Sequence, residues 1–116
     1  DIVLAAAVFH HLREESEWRT VFAKAHAALK PGGSLWISDL VEHSVPAVQT
    51  LMWEGYGEYL AQWKDAAYRD RVLAYVGQED TPRSLTFQLD MLRACGFRTV
   101  EILHKNNCFA AFGAVK

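Results

Sequence analysis

His10 and His11, side by side in "VFHHL", are the residues whose chemistry is easiest to name. An imidazole titrates near neutrality, so it can take a proton from a nucleophile within hydrogen-bond reach. His10 is the candidate for that substrate-side catalytic role, while His11 reads as a loop anchor held by hydrogen bonds. Asp39 closes the apolar run "SLWISDL", where it either orients a substrate amine or hydroxyl or caps the turn. Arg71 either clamps a substrate carboxylate with its forked guanidinium or stands solvated on a helix. His26, His43 and His104 are scattered without metal-ligand spacing, so no metal is assigned. Cys95 and Cys108 form no CxxC and read as reduced thiols of a cytoplasmic protein.

The elements that must position these groups follow from the apolar pattern. Residues 2–7 are continuously apolar, as in a parallel strand covered on both faces. Residues 14–29 carry Trp18, Val21, Phe22, Ala25 and Leu29 in one helical stripe, with Glu14, Glu15 and Glu17 in the first turn, where the helix dipole favours them. Pro31 then disfavours helix at Lys30, and Gly32 and Gly33 supply the positive φ angles of a tight reversal. Residues 34–40 are too short an apolar run for a typical helix and form the second strand. Strand, helix and strand make a right-handed βαβ unit over residues 1–43.

Residues 44–80 are helical by composition and crowded with Trp53, Tyr56, Tyr59, Trp63, Tyr68 and Tyr75. Gly55 and Gly57 are expected to interrupt them, giving two or three helices that cap the sheet edge. Either the rings are ordinary core, or they meet a ligand or a second subunit. Residues 81–116 hold a last helix and a hairpin. Thr81-Pro82 reads as N-cap and first helical residue, and Gly96 as the left-handed C-terminal stop. Residues 99–104 and 108–115 are the strands, turned at Lys105-Asn106-Asn107.

The chain of 116 residues carries a formal charge of −2 and is 51% hydrophobic. That suits one domain or part of one, with a real core. No basic block marks a nucleic-acid binder, and no apolar run approaches the ~20 residues of a membrane span. The chain opens inside what reads as a central strand, without an initiator Met. It is therefore expected to be a portion of something longer, with the missing part before Asp1.

The segments "DIVLAAAVFHHL", "AHAALKPGGSLWISD", "LRACGFRTVEIL" and "CFAAFGAVK", taken in order, resemble the C-terminal half of the class I S-adenosylmethionine-dependent methyltransferases. The resemblance implies an α/β fold: strands four to seven of a Rossmann-like doubly wound sheet, the last antiparallel beside the fifth, with a helical cap insertion. It is nearest to the branch with carboxy-S-adenosylmethionine synthase and related small-molecule methyltransferases. There, an arginine that aligns with Arg71 binds the extra carboxylate of the cofactor. Ala6 stands where the synthase has asparagine, which favours ordinary methyl transfer. In such sheets ligands bind outside the carboxyl ends of the strands. Ala6, Ala7 and Val8 are thus implied to border S-adenosylmethionine. The glycine-rich loop and ribose-binding acidic residue of the family lie outside this sequence, so these residues alone are expected to be inactive.

Two functions remain open from the sequence. One is a cytoplasmic methyltransferase acting on a small molecule. The other is a non-catalytic module that pairs its open strand, as a homodimer or with a regulatory partner.

Overall fold

The computed structural model describes all of residues 1–116. Strand β1 (Ile2–Ala6) runs parallel to β2 (Ser34–Leu40), in a register that pairs Ala6 with Ser38. Strand β3 (Thr99–Asn106) turns back into β4 (Phe109–Val115), and β4 inserts antiparallel between β2 and β3. The sheet order is therefore β1-β2-β4-β3. The turn falls one residue later than the sequence suggests, at Asn107, whose φ of 46° is tolerated by asparagine.

Helices α1 (Glu15–Ala28) and α4 (Leu85–Ala94) cover one sheet face. Trp18, Phe22 and Leu92 of the helices are buried with Leu35, Ile37, Phe112 and Ala114 of the strands. Phe9 meets Phe22 edge-on at 5.4 Å, and Trp18 meets Phe87 at 6.0 Å, the geometry aromatic quadrupoles prefer. The Glu17 carboxylate accepts the N–H groups of Arg13 and Glu14, both at 2.7 Å, satisfying donors at the start of α1.

Ser84, rather than Thr81, caps α4: its hydroxyl accepts the N–H of Phe87 at 3.1 Å. At the other end Gly96, at φ 103°, donates to Arg93, and Phe97 donates to Leu92. Those two bonds complete a Schellman stop. Of the Gly32-Gly33 pair only Gly32 takes a positive φ, 80°. Gly33 is needed for space, since a Cβ there would strike the Asp1 side chain and the Lys30 carbonyl.

The opposite sheet face is open. Ile2 and Leu4 are 67% and 76% exposed, so β1 is covered on one face only, not on both as its composition suggests. On that face the Trp36 indole lies across Gly113, where any Cβ would collide with it.

The aromatic segment is a hairpin of two helices, α2 (Pro46–Trp63) and α3 (Ala66–Glu79). Gly55 and Gly57 do not interrupt α2. Gly55 faces the Asn107 side chain at the β3–β4 turn. At Gly57 an added Cβ would lie 3.3 Å from Leu73 Cδ1 and 3.4 Å from Arg69 Cδ, so glycine lets α3 approach. Tyr56 stacks edge-on against Phe109 at 5.0 Å, seating the hairpin on the sheet. The two ends of the insertion meet: Glu42 bridges to Ser84 and donates its N–H to the Arg83 carbonyl at 3.2 Å. Both cysteines are free, and no helix is long and apolar enough to cross a membrane.

Candidate functional site

The site forms where β1 and β2 end side by side. Ala7 leaves β1 with φ 54°, in the left-handed region, while its N–H still pairs with Ser38 at 2.9 Å. The chain then winds one 3-10 turn, Phe9–His11. That turn has no cap of its own. Asp39, only 3% exposed, reaches over from β2 and supplies one. Its Oδ2 accepts the N–H groups of Val8, Phe9 and His10 at 3.3, 2.8 and 3.3 Å. Its Oδ1 accepts the Leu40 N–H at 2.7 Å and meets His10 Nδ1 at 2.5 Å. A buried carboxylate against consecutive N–H groups is a stable arrangement for an anion. Asp39 is therefore the cap of the turn, and its oxygens are occupied by this chain rather than free for a substrate.

The Asp39 contact assigns the His10 tautomer. With Nδ1 donating to a carboxylate, the neutral imidazole has its lone pair on Nε2. That nitrogen lies 3.7 Å from Asp80 Oδ2. His11 stacks on His10 with centroids 4.0 Å apart, and its Nδ1 lies 3.2 Å from Asp80 Oδ1. The Asp80 side chain is 5% exposed, yet Oδ1 has no hydrogen-bond partner. The 3.2 Å approach of His11 is close in distance but not aligned as a bond.

Asp80 sits at the C-terminal end of α3, and the segment holding it is pinned to the histidine turn. The Arg13 guanidinium donates to the Glu79 carbonyl at 2.8 Å. The Thr81 hydroxyl donates to the Leu12 carbonyl at 2.6 Å. Beside Asp80 opens a cleft of about 390 Å³ between α2 and α3, lined among others by Glu42, Gln49, Trp53, Glu54 and Gly77. Three of its lining residues are acidic and none is basic.

Of the residues singled out from the sequence, the fold joins His10 with Asp39 and leaves Ala6, Ala7 and Val8 exposed at the neighbouring strand end. Arg71 stands apart. It is exposed on α3, with its guanidinium 5.9 Å from the Tyr68 ring, and it does not line the cleft. Asp80, Glu42 and Glu54 went unnoticed in the sequence. Nothing local marks them, because only the α2–α3 hairpin brings Asp80 to the histidines and forms the cleft that Glu42 and Glu54 line.

No protein-family model and no curated protein matches the chain. Solved structures do match its fold. Human N-acetylserotonin methyltransferase, in complex with S-adenosylmethionine, superposes with a TM-score of 0.63 at 18% identity, over 99% of this chain and 29% of that one. An O-methyltransferase family 2 protein of Planctomyces limnophilus, in complex with apigenin, gives 0.64 at 18%, over 100% and 30%. An exported-protein candidate from Bordetella parapertussis gives 0.68 at 17%, over 100% and 38%. The chain thus spans about a third of the length of the structures it matches. In strand order and direction, it has the fold of the C-terminal part of an S-adenosylmethionine-dependent methyltransferase sheet.

Proposed function

We propose that this chain is part of an S-adenosylmethionine-dependent methyltransferase that acts on a small molecule held between α2 and α3. The observation that carries the reading is His10, fixed by Asp39 at the carboxyl end of a parallel strand pair, with Nε2 3.7 Å from Asp80, a residue of the cleft wall. The residues present fit the cofactor. Ala6 and Ala7 are small and exposed where β1 ends, so the backbone is open to a bulky ligand. With Val8 they would border its sulfonium end. The cofactor supplies an activated methyl group to a nucleophile.

The chain's own residues align the acceptor and favour the loss of its proton. Alignment alone can account for much of such a rate. The acidic wall of the cleft attracts an acceptor rich in donors, and the His10 cluster is where its proton is withdrawn. Removing a proton acceptor costs on the order of 10²-fold or more in rate. In the full-length protein, His10→Gln should keep affinity for S-adenosylhomocysteine and lose methyl transfer to a panel of small hydroxylated acceptors. Ala6→Glu should weaken S-adenosylhomocysteine instead. A full-length protein that binds no S-adenosylhomocysteine overturns the reading.

The position of β1 at the edge of the sheet favours a second reading, in which β1 pairs with another copy of this chain and the module is not catalytic. A dimer that binds no cofactor would be its signature.

A further inference from the structure

We propose that His10, His11 and Asp80 form a binding site for a divalent transition-metal cation. The placement of the three side chains supports cation binding by itself; only the metal's part in turnover rests on the methyltransferase reading.

The ligand atoms of the three side chains all lie within 4.8 Å of one another. Two ligands of a tetrahedral cation bound at ~2.0–2.1 Å stand about 3.3 Å apart. His11 Nδ1 and Asp80 Oδ1 are at 3.2 Å, and His10 Nε2 and Asp80 Oδ2 at 3.7 Å. Side-chain movement of up to about 1.5 Å would bring all three donors to that spacing, since they now lie within 4.8 Å of one another. Asp80 supplies the second, independent observation. Its side chain is buried, and Oδ1 lacks a hydrogen bond despite a ring nitrogen 3.2 Å away. Nitrogen and oxygen close together but not aligned as donor and acceptor are how two ligands of a single cation stand.

The surroundings fit as well. A metal-binding imidazole usually donates its other N–H to a carboxylate, which fixes the tautomer and the ring. His10 does this to Asp39 at 2.5 Å. Two imidazoles and one carboxylate suit zinc, cobalt or iron better than magnesium or calcium, which take oxygen ligands. Three protein ligands leave a fourth position open, as in catalytic rather than structural sites. An acceptor hydroxyl filling that position would lose its proton to solvent; its oxygen would then form the bond to the methyl carbon as the S–CH3 bond breaks, the electron pair of that bond going to sulfur and S-adenosylhomocysteine leaving. His10 then acts through the cation, because its lone pair holds the metal.

The test is a Co²⁺ titration of the chelator-stripped full-length protein, followed by visible d–d absorption, with S-adenosylhomocysteine binding measured alongside. The wild type should saturate near about one equivalent per chain. His11→Ala and Asp80→Asn should each weaken Co²⁺ by at least ~10-fold, and Asp39→Asn, behind His10, by roughly 10–100-fold. Arg71→Ala should change nothing. His11 is exposed, so its variant tests the site even if the Asp80 variant fails to fold. No d–d absorption, or bands that survive both ligand substitutions, overturns the proposal. S-adenosylhomocysteine binding without Co²⁺ binding removes the metal alone. Site-dependent Co²⁺ binding without the nucleoside removes the methyltransferase reading alone.

Discussion

The carbonyl of His10 accepts the backbone N–H of Thr81 at 2.8 Å. With the Thr81 hydroxyl on Leu12 and Arg13 on the Glu79 carbonyl, three bonds stitch the exit of α3 to the turn that follows β1. Asp80 lies between the stitches. Its distance from the two imidazoles is set by this seam rather than by any contact of its own.

Thr81→Val keeps the shape of the side chain and removes the hydroxyl bond. It should lower stability by about 1 kcal/mol, the net worth of one neutral hydrogen bond. Urea unfolding should show a lower midpoint at unchanged slope. An unshifted midpoint would mean that water replaces the bond and that the seam is held by backbone alone.

Asp39→Asn tests the cap. The amide keeps one acceptor but turns an N–H₂ toward donors that the carboxylate had satisfied. Two charge-assisted bonds lost at ~1.5 kcal/mol each put the cost at roughly 3 kcal/mol. A loss under about 0.5 kcal/mol, the usual range of a surface substitution, would show that Asp39 does not organise the turn.

Acidification should loosen the start of α1. Backbone N–H groups of Glu14 and Arg13 hold the Glu17 carboxyl below its ordinary range, against a smaller opposing effect of desolvation. A depressed folded-state pKa gives stability that is complete above the ordinary carboxylate range. That stability is lost as pH falls through the lowered value. The stability gap between wild type and Glu17→Gln should therefore be flat near neutrality and narrow on the acid side. A gap that does not change with pH would assign the effect to the helix cap geometry instead.

What the sequence made legible was whatever is encoded locally. The Trp18 and Phe22 stripe, the strand over 34–40 and the Gly96 stop each depend on neighbours a few residues away, and each stands as read. The misreadings have distant causes. Gly55 and Gly57 look like breaks, but Asn107, Arg69 and Leu73 pack against them and hold the helix together. Thr81-Pro82 has the chemistry of a helix start, but the Thr81 hydroxyl is claimed by Leu12, and Ser84 caps the helix instead. For Ile2 and Leu4, nothing within residues 1–116 covers the face that their apolar run prefers covered. The candidate site was half visible. His10 was singled out, while Asp80 joins it only through a hairpin whose placement no local pattern gives.

The Glu42–Ser84 bridge has a consequence for descent. Because the insertion leaves after β2 and returns to α4 at one place, closing it costs the chain little extra as it lengthens. The α2–α3 hairpin can be lengthened, trimmed or exchanged for another as a unit while β1, β2, β3 and β4 keep their partners. A lineage built this way can change which molecule it handles without relearning how to fold.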